Sequence, residues 1–99
     1  MQENIQQATH RIERMERAFD TLSAAFYRDA AAFLASEDAL CQLKELSDYY
    51  ESGLWLHDYQ LDEQGLLPRN LKRGVLSEDG VYNFLADIDA ARADSEAGL

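Results

Sequence analysis

The fold is decided by residues 5–36, "IQQATHRIERMERAFDTLSAAFYRDAAAFLAS". Large apolar side chains fall at Ile5, Ile12, Phe19, Phe26 and Phe33, one every seven residues, with Ala8, Met15 and Leu22 between them. That spacing writes one apolar stripe along a long amphipathic helix, expected near residues 3–35. Arg11, Glu13, Arg14, Glu16 and Arg17 lie off the stripe and read as a solvated face, where i,i+4 pairs such as Glu13 with Arg17 contribute only a few tenths of a kcal/mol each. A seven-residue repeat also admits a coiled-coil dimer. Asp29 and Ser36, however, take the next two intervening positions, and three Phe are bulky for a dimer seam, so an intramolecular bundle is the better reading.

Working outward, Ser36 suits an N-cap, with Glu37 and Asp38 at the positive end of a second helix near 37–51. Leu40, Leu43, Leu46, Tyr49 and Tyr50 give that helix an apolar face, and Ser52 and Gly53 stop it. A single bent helix running through both segments would extend roughly 70 Å and leave its stripe uncovered, so a break near Ser36 and an antiparallel hairpin are expected. The last helix, near 78–93, is announced by Ser77 as N-cap, Glu78 and Asp79 in the first turn, and Leu76 with Val81 as a hydrophobic staple. Val81, Phe84, Leu85 and Ile88 supply its packing face, Gly80 costs it up to about 1 kcal/mol relative to Ala, and the tail 94–99 is expected to fray.

Between these helices lies the irregular segment 52–79, which holds the only Trp and the only Pro of the chain. Leu54 to Glu63 reads as a short helix with Trp55, Leu56 and Tyr59 turned inward and Gly65 as its C-terminal cap. Pro68 prevents a helix from continuing through Leu67, so residues 69–75 cross as a loop, and the apolar Leu66, Leu67 and Leu71 make that loop a packed clasp. The fold class expected is all-α: a compact bundle of three to four helices in one domain spanning 1–99.

With 99 residues the chain is the size of one modest core. A hydrophobic fraction of 46% is sufficient for folding despite a net charge of -10. Nineteen acidic against nine basic residues disfavour direct contact with nucleic acid or an anionic membrane. The longest apolar run is six residues, Ala30 to Ala35, far below a membrane span, and a lone cysteine, Cys41, fits a reducing cytoplasm.

The segments "RIERME" (Arg11 to Glu16), "LSDYYESGLWLHDYQLDEQG" (Leu46 to Gly65) and "LPRNLKRGVLSEDGVYNFL" (Leu67 to Leu85) give the chain a resemblance to a family of small acidic bacterial proteins catalogued as a domain of unknown function. The resemblance covers most of the chain and is most specific from Tyr49 to Asp79. It implies an all-helical cytoplasmic domain and carries no assigned activity. Gly80 departs from the pattern, where a better helix former is expected.

No constellation for catalysis stands out: His10 falls on the polar side of the first helix, His57 has no second His or Cys near it in the sequence, Cys41 falls among leucines, and no phosphate loop or GxSxG, HExxH or CxxC motif is present. Asp58 and Asp62, at i,i+4 with Glu63 alongside, have a spacing that suits one cation, but no calcium-type loop surrounds them. Pairing with Arg69, Lys72 or Arg73 across the clasp is the expected use of these carboxylates. No metal site and no cofactor are expected. Trp55, Asp58, Tyr59, Asp62, Glu63, Pro68, Arg69, Lys72 and Arg73 form the candidate interaction surface, since Trp, Tyr and Arg carry most interface energy. The function expected is a non-catalytic protein-interaction or accessory module, with self-association into a homo-oligomer among its forms. The alternatives are an acidic decoy that imitates nucleic acid toward a basic DNA-binding protein, and a small-molecule or metal-binding domain.

Overall fold

A computed structural model describes the backbone of residues 4–97 and the side chains of residues 4–94. The described chain is all-α. It comprises α1 (Ile5–Arg28), α2 (Ala30–Ala35), α3 (Glu37–Glu51), α4 (Leu54–Glu63) and α5 (Gly80–Ala97), with one 3-10 turn at Gly74–Leu76 ahead of α5. Asn4 caps α1 through a reciprocal capping box with Gln7, so the helix begins within the first turn expected of it.

The long first helix ends earlier than its stripe. Asp29 adopts an extended backbone and its side chain accepts from the Ala32 N–H, which starts α2 six residues before the expected break. Ser36 then caps α3 by accepting from the Ala39 N–H, as its sequence position predicts. Two caps seven residues apart turn the chain back. Residues 11–15 of α1 lie beside residues 45–52 at the end of α3, while Ala25 and Arg28 lie beside Ser36 and Ala39, so the hairpin is antiparallel.

α5 lies against both arms. Phe84, fully buried, meets Phe19, Phe26 and Phe33 edge-on at centroid distances of 5.7, 5.9 and 6.5 Å, the geometry that aromatic quadrupoles favour. The 5- and 12-type stripe positions that predicted the first helix therefore form the core: Ile12, Met15, Leu22, Phe26 and Phe33 are buried with Leu43, Leu46, Val81, Phe84 and Ile88. Ser77 accepts from the Gly80 N–H and the staple residues Leu76 and Val81 are both buried, as expected, but the helix begins at Gly80, two residues later than expected, with Glu78 and Asp79 in a turn ahead of it. Gly80 has a reason to be small: a Cβ there would collide with Ser77 Oγ and crowd the Gly74 carbonyl at 3.3 Å. The expected end near 93 is displaced to Ala97, because no Gly or Pro interrupts residues 81–97; residues 98 and 99 of the expected tail lie outside those described.

Three further expectations are corrected. Leu56 points outward and is half exposed, Cys41 is exposed and not a core residue, and the helices number five among the described residues.

Candidate functional site: a polar clasp around Val75

The clasp is built on α4 and the chain that follows it. Gly53 (φ 96°) and Gly65 (φ 71°) take the left-handed backbone that ends α3 and α4. At the second of these, the Leu66 N–H bonds the Leu61 carbonyl and the Gly65 N–H bonds the Asp62 carbonyl, a Schellman stop of the kind Gly65 predicted.

From there Arg73 organises the loop. Its guanidinium donates to Asp62 Oδ1 at 2.6 Å, to the Pro68 and Leu71 carbonyls at 2.8 Å each, and to the Arg69 carbonyl at 3.3 Å. Carbonyls that no helix or strand satisfies are thereby bonded by one rigid fork of donors. The expected pairing of Asp62 with a clasp cation is observed, and Arg73 is withdrawn from the exposed basic spot. Arg69 and Lys72 remain exposed.

Asp58 is the main correction. It is 0% exposed and belongs to no surface. Arg11 Nε donates to its Oδ2 at 2.9 Å and Arg11 Nη2 donates to its Oδ1, while the Tyr49 hydroxyl donates to Oδ2 at 2.6 Å. One carboxylate thus ties α1, α3 and α4 together, and its partner is Arg11 of the first helix, not Arg69, Lys72 or Arg73. Burial and the bond to Asp58 both push the Tyr49 hydroxyl pKa well above its ordinary value.

Glu16, also read as solvated, is 7% exposed. Its Oε2 accepts from the Val75 N–H at 2.9 Å, and the indole Nε1 of Trp55 donates to the Val75 carbonyl at 2.7 Å. Both backbone groups of this buried residue are therefore satisfied by side chains, one from α1 and one from α4. Trp55 is itself sandwiched, stacked on Tyr59 at 5.2 Å and edge-on to Tyr50 at 5.2 Å. The Tyr59 hydroxyl donates to Glu78 Oε1 at 2.7 Å, which carries the clasp to the start of α5 and, by that bond first, raises the Tyr59 pKa to about 12.

Of the nine candidate surface residues, the structure brings eight of them to one clasp and sets Asp58 beneath it. Glu63, Pro68, Arg69 and Lys72 are exposed, and Trp55, Tyr59, Asp62 and Arg73 are partly covered. The residues that sequence reading missed are Arg11 and Glu16. A signal for both existed: Arg11 stands three after Ala8 and four before Met15, and Glu16 stands four after Ile12 and three before Phe19, so both flank the buried stripe. No group of three or more His, Cys, Asp or Glu side chains placed to hold a metal ion occurs among the described residues. No helix among them is long and apolar enough to cross a membrane.

Because Tyr49 must stay protonated in the folded protein, its folded pKa exceeds the unfolded value of about 10. The stability it contributes is complete below pH 10 and is lost as pH rises beyond that, by about 1.4 kcal/mol per pH unit. Thermal melts between pH 8 and 11.5 are expected to show this alkaline decline, and Tyr49→Phe is expected to make it shallower while lowering stability at neutral pH.

A family model described as a domain of unknown function (DUF4298) matches residues 1–92. Comparison with curated proteins and with solved structures returned no match.

Proposed function

The chain belongs to that family of unassigned activity, and we propose that it is a non-catalytic protein-interaction module whose contact surface is the outer face of the clasp. The observation that carries this reading is the division of labour within the clasp. Trp55, Asp62, Arg73 and Glu16 are engaged in holding Val75 and the loop in one geometry, whereas Leu54, Leu56 and Leu66 of the same segment are 43, 51 and 50% exposed. Rigid, internally bonded backbone with apolar side chains left outside lowers the ordering cost of binding. Only Tyr27 and Tyr82 among the described large apolar residues are more exposed.

The test is affinity capture from host lysate with wild type and a Leu56→Glu/Leu66→Glu variant. Both substitutions lie on exposed positions, so the melting temperature is expected to change little. Wild type is expected to retain a partner that the variant loses. Retention of nothing by either, or equal retention by both, removes the outer clasp as an interaction surface.

A further inference from the structure

A groove of about 430 Å³ runs between α1 and the loop 68–72, lined by Glu13, Glu16, Arg17 and Asp20 on one side and by Pro68, Leu71 and Lys72 on the other. It is the place where the two stretches "RIERME" and "LPRNLKRG" meet. Glu16 lines it from below and is more than nine-tenths buried. Its Oε2 is taken by the Val75 N–H, but Oε1 receives no hydrogen bond from any described residue. No fully covered side-chain oxygen or nitrogen is left without a partner among the described residues, so this oxygen is reached from outside. Gly74 lets the carboxylate sit close to the loop: a Cβ at that position would lie 2.6 Å from Oε1. An accessible carboxylate oxygen on an otherwise buried side chain is an acceptor held in a fixed position for a donor that enters the groove.

We infer that this groove receives an arginine side chain of a partner polypeptide, with Glu16 Oε1 as the acceptor of the guanidinium. The inference rests on the interaction reading above and names the chemistry of the partner. A guanidinium is less strongly hydrated than an ammonium and is the cation best suited to a partly desolvated carboxylate. Pro68 and Leu71 offer apolar surface to its aliphatic stem. The lining also carries Arg17 and Lys72, which can donate to the backbone carbonyls that a polypeptide brings with it. A net charge of -10 draws a basic partner toward the groove and opposes a second copy of the same chain.

The experiment is an amide NMR titration of the full chain with N-acetyl-arginine methylamide, with the uncharged citrulline analogue as control, for wild type, Glu16→Gln and Asn70→Trp. Glu16→Gln keeps an acceptor for the Val75 N–H and removes the charge. Asn70→Trp obstructs the groove from an exposed loop position, and it preserves the test if Glu16→Gln does not fold. Saturable shifts at residues 13–20 and 70–72 are expected with the arginine probe alone. They are expected to weaken roughly tenfold or more in either variant, the loss of one hydrogen bond to a charged group. No saturable shift, equal shifts with citrulline, or undiminished shifts in the folded variants overturn the inference. So does a wild-type dimer in sedimentation that Glu16→Gln dissociates, since the occupant is then a second copy. These results are independent of the lysate capture: a partner lost by Leu56→Glu/Leu66→Glu but kept by Glu16→Gln leaves the interaction reading standing and removes the groove from it.

Discussion

Arg11→Ala is expected to lower the stability of the protein by about 3–5 kcal/mol, because it leaves the fully buried Asp58 carboxylate without the cation that justifies its charge. A chain of this size has about 5–15 kcal/mol in total, so the variant should be close to unfolding, with a melting temperature lower by about 15–30 °C. The cost comes from breaking the pair and not from any large net strength of the pair itself. Two ions removed from water lose nearly as much solvation as they regain from each other. The triple replacement Arg11→Met/Tyr49→Phe/Asp58→Leu, which removes these three bonded groups together, is therefore expected to recover more than half of the loss. Urea titrations of both variants check the two expectations together. If Arg11→Ala costs less than about 1 kcal/mol, the charge at position 58 is not held in the interior by Arg11.

The second large effect is at Trp55. Trp55→Ala should cost about 3 kcal/mol or more, since it removes the stack on Tyr59, the edge contact with Tyr50 and the indole donor to the buried Val75 carbonyl. Trp55→Phe separates these contributions. It keeps most of the ring packing and loses the indole N–H, for an expected cost of about 1–3 kcal/mol. Chemical denaturation followed by circular dichroism reads both, because the substitutions delete the protein's own Trp fluorophore. Equal costs for Phe and Ala would mean that the hydrogen bond to Val75, and not the ring, holds the clasp.

The legibility of this fold follows the physics of its parts. Helices were readable because the stripe at Ile12, Met15, Leu22, Phe26 and Phe33 is a local pattern, and Ser36, Gly65 and Ser77 mark their boundaries with local hydrogen bonds. Asp29 was harder, since it breaks a stripe that resumes at Phe33 and shows its role only through the Ala32 N–H. The clasp was partly readable: Asp62 and Arg73 are near in sequence and do pair. Arg11 and Asp58 are 47 residues apart, and Glu16 and Val75 are 59 apart, so no periodicity or spacing couples them. Charges beside an apolar stripe usually reach water. Here both are drawn inward because the clasp presents a buried carboxylate to one and a backbone N–H to the other. The same reversal explains why the candidate surface lost Asp58 and why its basic spot shrank to Arg69 and Lys72: Arg73 is consumed by the carbonyls of its own loop.

In this fold α4 and the loop form one unit with the helical hairpin, joined at Val75. Hydrogen exchange of the Val75 amide under native conditions is the decisive measurement, because this N–H, within the short 3-10 turn, bonds a side chain of α1. Protection approaching that of the core amides of Leu22 and Leu46 is predicted, since opening Val75 requires Glu16 and Trp55 to separate and the hairpin to part from α4. Exchange at the rate of an exposed loop amide would instead make the clasp a lid lying on a bundle that is stable without it.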